Sequence, residues 1–280
     1  MINPKLRGLP PIYYFNLDHR VDRREYLENE FVKYGITDYH RINSSRYSVD
    51  NYDEWKRNVT MDRLRTKKWF LATTVDRMHG IIDWYNSNIS ETCLVVEDDI
   101  SFELVNYWNF DWNTFVNNLP CNWECIQLHI IGTNSVKMKL AKWTRNNHST
   151  GCILINRSYA EKLIRLHYVD SKFKFYSNYG YDTNLPEYHY QSVDFVLYQI
   201  GITYSIPILT TNYNFISDGY RNGKINEMAK SCDDVVLDWW KNKSSDYTLN
   251  DIFYLNSSSR NEFVLNIDRE PFIIEINPWS

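Results

Sequence analysis

Apolar residues along the chain fall into short unbroken runs, separated by longer stretches in which they recur every three or four positions. The first run, Pro11-Ile12-Tyr13-Tyr14-Phe15-Asn16-Leu17, has the length and aromatic content of a buried strand, and Pro10 and Pro11 suit its start. Helical spacing follows over Arg23 to Tyr34, with Tyr26, Leu27, Phe31 and Tyr34 on one face and Gly35 as the stop. Tyr39 to Asn43 predicts a second strand, so the opening reads as a βαβ unit in a mostly parallel sheet. Residues 50–66 show little period and predict a loop or a short exposed helix. Lys67 to Asn86 carries Phe70, Leu71, Val75, Met78, Ile81, Ile82 and Tyr85 at helical spacing. Strands are predicted at Leu94–Val96, Ile126–Ile130, Gly151–Ile155 and Thr203–Leu209, the last broken by Pro207 and therefore near an edge or a terminus. Arg157–Leu166 and Ser192–Gln199 predict helices. Past residue 222 the pattern changes to a helix over Asp233–Trp240 and a hairpin-like pair around Glu262–Ile267 and Pro271–Ile276. Residues 1–221 are thus expected to form one α/β domain and 222–280 a carboxyl-terminal extension packed on it.

The strand Leu94-Val95-Val96 runs into three consecutive acids, Glu97, Asp98 and Asp99. Three carboxylates at the end of a buried strand repel one another and lose solvation unless a cation compensates. Hard oxygen donors of this kind suit Mg²⁺ or Mn²⁺, which usually carry a phosphate partner. The carboxyl end of a sheet strand is also where open α/β folds bind ligands. An acidic triplet in a solvated turn, or Glu97 capping a helix over Ser101–Val105, is the plainer reading, and the strand context favours a site.

Composition narrows this picture without redirecting it. Apolar residues make up 43% of the 280, and charged residues 24%, the balance of a globular protein. The net charge of −4, with Arg and Lys scattered, argues against a nucleic-acid-coating protein. No apolar run reaches membrane-spanning length and the amino terminus lacks a signal-peptide core, which predicts a soluble cytoplasmic protein. The five cysteines are odd in number and Cys93 and Cys152 lie in apolar runs, which fits reduced thiols. Cys121 and Cys125 lack a second pair at zinc-binding spacing, and His129 and His148 lack partners, so these histidines read as ordinary strand or loop residues.

In order, these segments resemble glycosyltransferase family 25, the lipooligosaccharide and procollagen galactosyltransferase-like group. The matching pieces are Ile12 to Asp18 with Arg20, Asp22, Arg23 and Arg24; Leu94 to Ile100 with its Glu-Asp-Asp; Trp123 to Leu128, where Glu124 replaces the usual Asp; and Thr150 to Ile155 with Ala160 and Leu163. Val193-Asp194, Pro207 and Ser217-Asp218 complete the order, and the likeness spans about residues 10–220. His79 stands one residue away from the family's Ser-His spacing.

The resemblance implies a GT-A (Rossmann-like) fold with a mostly parallel central sheet flanked by helices. It also implies a hexosyltransferase that moves galactose or glucose from a UDP-sugar to a saccharide or protein hydroxyl, with inversion, as in lipopolysaccharide biosynthesis. Its cofactor would be Mn²⁺ or Mg²⁺, with Asp99 as principal ligand and Glu97 bound directly or through water. Asp98 would face the ribose, or stand as a solvated or capping acid. Asn16, Arg20 and Arg23 follow the first strand, where guanidinium groups suit phosphate oxygens. Asn43, after the second strand, is a weaker nucleoside-pocket candidate. Inversion needs a general base, and Asp194 at the start of a short helix is the choice, with Asp182 and Glu187 in reserve. The Tyr176–Tyr190 segment would form an acceptor platform or a structural clamp, and a third metal ligand, if the site has one, would be His189 or a residue of Thr211–Asp218. Two rivals remain. A nucleotidyltransferase or phosphohydrolase would need a second acidic cluster or a Gly-rich phosphate loop, and the chain has nine Gly in all. A non-enzymatic carbohydrate-binding protein would fit the aromatic content and be indifferent to UDP and metal.

Overall fold

The computed structural model describes residues 2–61, 68–132, 135–175, 193–212, 214–215, 223–255 and 262–264. Its centre is a mixed sheet built from seven runs of the apolar pattern. These are β1 (Ile12–Asn16), β2 (Tyr39–Asn43), β3 (Thr92–Glu97), β4 (Cys125–Gln127), β5 (Ala141–Lys142), β6 (Cys152–Asn156) and β7 (Thr203–Ser205). Their spatial order is β2-β1-β3-β6-β4-β7-β5. β2, β1 and β3 run parallel, β6 runs antiparallel to both β3 and β4, β7 is parallel to β4, and β5 reverses again. The mostly parallel expectation holds in that only β6 and β5 oppose the rest.

Alternation along each strand sends its residues to two buried faces. Ile12, Tyr14, Leu94, Val96 and Leu154 pack with α1 (Val21–Tyr34) and with the carboxyl-terminal helix. Tyr13, Phe15, Cys93, Val95, Ile153 and Ile155 pack with α2 (Lys68–Ser87), α3 (Arg157–His167) and α4 (Val193–Tyr198). α1 ends as its sequence requires: Gly35 adopts φ 68° and its N–H caps the carbonyls of Phe31 and Val32.

The region after residue 50, expected as a loop or a short exposed helix, departs from that in its burial. Tyr52–Trp55 is a short helix whose Tyr52 and Trp55 are buried, and Val59–Met61 pairs in parallel with Lys172–Phe175. The reason is aromatic: Tyr47, Tyr52 and Trp55 meet edge to face, and the Trp55 indole N–H donates to the carbonyl of Ser48.

The helix expected over Asp233–Trp240 is longer, α5 (Gly223–Asn242). Its Cys232, Val236, Trp239 and Trp240 enter the same core as β1 and β3, and the Trp240 indole donates to the carbonyl of Pro207. Glu262–Val264 pairs antiparallel with Ser135–Lys137, and Pro271–Ile276, the other half of the expected hairpin, lies outside the described residues. None of the five cysteines is in a disulfide. No helix among the described residues is long and apolar enough to cross a membrane.

One close approach fixes how α2 sits on the sheet. Gly80 faces β1, and a Cβ there would stand against the Phe15 ring, 2.7 Å from one ring carbon. Gly80→Ala gains about 1 kcal/mol of helix propensity but overpacks this contact, at a cost of about 1–3 kcal/mol. Urea unfolding is expected to show a lower midpoint with an unchanged slope.

Candidate functional site

The parallel strands β1, β3 and β4 end at one edge of the sheet, and the reversed β6 begins there. Asn16 closes β1, Glu97 closes β3 and donates its N–H to the Gly151 carbonyl, and His129 follows β4 by two residues. Ser149 and Thr150 precede β6 on the same edge, because Cys152 pairs with Val96. Asp98 and Asp99 make the turn between β3 and the short strand Ile100–Ser101, and the Asn212 N–H holds the Asp99 carbonyl at 2.6 Å.

The three acids meet two guanidinium groups. Glu97 takes Arg77 Nη2 at 2.9 Å and the Thr150 hydroxyl at 2.8 Å. Asp98 takes the Asn16 amide at 2.7 Å and Arg23 Nη1 at 3.0 Å. Arg23 Nη1 also reaches Asp99 Oδ2 at 3.1 Å. Arg77 lies over the Phe15 ring, 4.0 Å from its centroid, and reaches the buried Asp76 at 3.5 Å. Asp76 in turn accepts from the Ser44 hydroxyl at 2.6 Å.

This charge balance is uneven. Burial alone would raise the Glu97 carboxyl, but Arg77 and the Thr150 hydroxyl hold it below its ordinary value. Asp99 goes the other way: burial, then repulsion from Glu97, outweigh Arg23 and push it up to about 7. Burial lifts Asp76 to about 6 against the pull of Arg77. Buried polar atoms without a partner concentrate here as well: Asp99 Oδ1, Arg23 Nε, Asp76 Oδ1 and Arg77 Nε. Native interiors satisfy nearly all such atoms, and here four lie in one cluster of otherwise paired charges.

A second network lies beside the first. Buried His129 is held between Asp233 of α5, 3.1 Å from Nε2, and the Ser149 hydroxyl, 2.6 Å from Nδ1. Asp233 also takes the N–H and hydroxyl of Thr211. Asp194, at the start of α4, accepts the Ser149 N–H at 2.8 Å, and burial raises its carboxyl against the opposing charge of His148.

The fold therefore brings Asn16, Arg23, Glu97, Asp98 and Asp99 into one cluster and sets Asp194 beside it through Ser149. Arg20 pairs instead with Asp22 through two contacts of 3.0 and 2.8 Å on the surface. Asn43 donates to Asp18, which also holds Arg41 at 2.7 Å. Arg41 Nε donates to the Asn16 side-chain oxygen at 3.1 Å, so Asn43 meets the acids only through this chain of contacts. His79 contacts Arg46 and Asp83, away from the acids. Asp182, Glu187, His189, Ser217 and Asp218 lie outside the described residues, as does the Tyr176–Tyr190 segment.

Arg77, Asp76, His129 and Asp233 are not legible as site residues in the sequence. Asp76-Arg77 did leave a signal, since two charges interrupt the apolar face of α2 between Val75 and Met78. Asp233 left none, because only packing brings it to His129, 104 residues away. His129 reads as an isolated histidine until that contact forms.

Among the described residues no three His, Cys, Asp or Glu side chains converge as a ligand set. Glu97 and Asp99 supply two carboxylates, the number Mg²⁺ commonly takes from protein when phosphate and water complete its shell.

No protein-family model matches the chain, and no curated protein matches it in sequence. Among solved structures it is similar to A197 from STIV, with TM-score 0.36 and 11% identity over 71% of this chain and 83% of that one. It is similar also to the glycosyltransferase GlyE of Streptococcus pneumoniae TIGR4, with TM-score 0.34 and 10% identity over 84% of this chain. The apo-form of GlyE gives TM-score 0.33 and 9% identity, and the chain spans 64% of GlyE's length in both. Likeness at this level assigns no activity to the chain.

Proposed function

We propose that the protein is a divalent-cation-dependent glycosyltransferase that moves a hexose from a UDP-sugar to a saccharide or protein hydroxyl. The observation that carries this reading is Asp99: a buried carboxyl pushed up to about 7, with Oδ1 unpartnered, beside a second carboxylate at the ligand-binding edge of the sheet. Such a group would be stabilised by a cation beyond Arg23, which Asp99 shares with Asp98. Asp99 and Glu97 would hold Mn²⁺ or Mg²⁺, whose charge offsets that gathering on a departing diphosphate. Arg23, bridging Asp98 and Asp99 with its Nε unpartnered, is placed to turn toward phosphate oxygens. Asn16 and Asp98 would face the ribose, with Arg20 and Asn43 as weaker candidates for contacts to the nucleoside. Asp194 takes the proton from the attacking hydroxyl as the bond between sugar and phosphate breaks, and its raised carboxyl suits a general base.

Thermal unfolding with Mn²⁺, with UDP and with both is the test. A ligand that binds only the folded state at about a hundred times its Kd adds about 2.7 kcal/mol, or several degrees for a chain of this size. Mn²⁺ and UDP together are expected to produce that shift, either alone little of it. Asp194→Asn should keep the shift and lose turnover of UDP-galactose or UDP-glucose. A wild-type melting temperature unmoved by the pair would overturn the reading.

A further inference from the structure

The three acids differ in which oxygens their neighbours leave open. Asp98 has both engaged, Oδ1 by Arg23 and Oδ2 by the Asn16 amide. Asp99 keeps Oδ1 without a partner. On Glu97, Arg77 Nη2 and the Thr150 hydroxyl converge on the same atom, Oε1, at 2.9 and 2.8 Å. Oε2 has no partner among the described residues and, unlike Asp99 Oδ1, is not buried. Two donors on one oxygen fix which oxygen of the carboxylate faces outward. A pair that served only to balance charge would need neither a shared oxygen nor a second, uncharged donor.

Both donors are themselves held in place. The Glu97 N–H bonded to the Gly151 carbonyl at 2.8 Å keeps the start of β6, and Thr150 with it, beside the carboxylate. Thr150 is buried, and its branched Cβ restricts χ1, so its hydroxyl has few other directions to take. Arg77 is 6% exposed, lies over the Phe15 ring and meets Asp76 at 3.5 Å. Gly80, about one turn further along α2, closes on the same ring, so the ring cannot retreat from the guanidinium.

We infer that Thr150 and Arg77 are positioning residues that pin Glu97 Oε1, so that Glu97 offers a cation Oε2 alone, and that this gives the site a preference for small octahedral ions over Ca²⁺. The assignment rests on the cation-binding reading above. Mg²⁺ and Mn²⁺ accept single carboxylate oxygens in octahedral shells completed by phosphate and water. Ca²⁺ takes more oxygens, often both of one carboxylate, which a Glu97 held in this way does not supply.

Calorimetric titration of the full chain with Mn²⁺ and with Ca²⁺, each in the presence of UDP, tests it. Wild type is expected to bind Mn²⁺ more tightly than Ca²⁺. Thr150→Val, which exchanges the hydroxyl for a methyl, should weaken Mn²⁺ about tenfold, the usual cost of losing an outer contact to a metal ligand, and Ca²⁺ less than about threefold. Thr150→Ser should recover most of the Mn²⁺ affinity. Arg77→Lys keeps the charge but not the fork and should narrow the preference between the ions in the same way. A folding defect by itself weakens both ions alike. Equal losses for the two ions in Thr150→Val, no loss at all, or a serine variant as weak as the valine one would overturn the role of Thr150 and leave the cation site intact. Arg77→Lys with the wild-type preference would overturn the role of Arg77. Ca²⁺ bound by wild type as tightly as Mn²⁺ would overturn the preference itself. Wild type that binds neither ion would overturn the cation-binding reading and the positioning roles with it.

Discussion

Asp99→Asn is expected to abolish joint binding of UDP and Mn²⁺ while raising the melting temperature of the ligand-free protein. The two effects have one cause. A carboxyl whose folded value stands at about 7 against an unfolded value of about 3.9 is costly to ionise in place. The sign follows: the folded protein holds this proton more tightly than the unfolded chain, so stability falls as pH rises from about 4 through 7. Asparagine has the same shape, still accepts from Arg23 and has no charge to bury. The variant should therefore melt about 3 °C or more above wild type at pH 8, with the gap closing toward pH 5. Metal-coupled nucleotide binding should be lost, because an amide oxygen is a poor substitute for a carboxylate on a hard cation. Melting curves from pH 5 to 8, with and without ligand, check both halves. A variant less stable than wild type at pH 8 would show that Asp99 is held by compensating contacts and is not poised for a cation.

Arg77→Leu should act in the opposite direction, and strongly. Arg77 is 6% exposed and serves Glu97, Asp76 and the Phe15 ring together. Leucine fills part of the volume but leaves two largely buried carboxylates without their cation, a change that costs about 3–5 kcal/mol. For a chain of this length that is roughly 5–9 °C. The deficit should be larger at pH 8 than at pH 5, since both acids, freed of the guanidinium, titrate upward and are neutral at the lower pH. Arg77→Lys should fall between, keeping charge but losing the flat fork and the stack on Phe15. Urea unfolding at the two pH values measures this. A loss below 1 kcal/mol, or one that does not change with pH, would remove Arg77 from the charge balance of the site. The same cluster thus contains one residue whose removal stabilises and one whose removal destabilises, as expected where stability is traded for binding.

Much of the architecture could be read from local pattern. β1, α1 and β2 appear within a residue or two of where periodicity and Gly35 put them. β3 ends at Glu97, so the acidic triplet does sit at the strand end that its apolar run implied. These readings hold because the signals are local: a strand buried on both faces must be apolar throughout, and a helix must stop where Gly35 takes a positive φ. Long-range pairing was not legible. Nothing local says that β6 runs backward between β3 and β4, that Val59–Met61 pairs with a strand more than a hundred residues away, or that Glu262–Val264 pairs with Ser135–Lys137.

For the site the division has the same physical origin. The residue types of the centre, Asn16, Arg23 and the three acids, stand in the sequence because charged groups beside a buried strand need a reason to be there. Tertiary structure decided what each charge meets. Neighbours depress Glu97 against its burial, while burial and repulsion raise Asp99, two carboxylates two residues apart. Packing likewise turned an isolated histidine and an acid of the carboxyl-terminal helix into the pair that holds Ser149, because hydrogen bonds and charge act over a few ångströms of space regardless of distance along the chain.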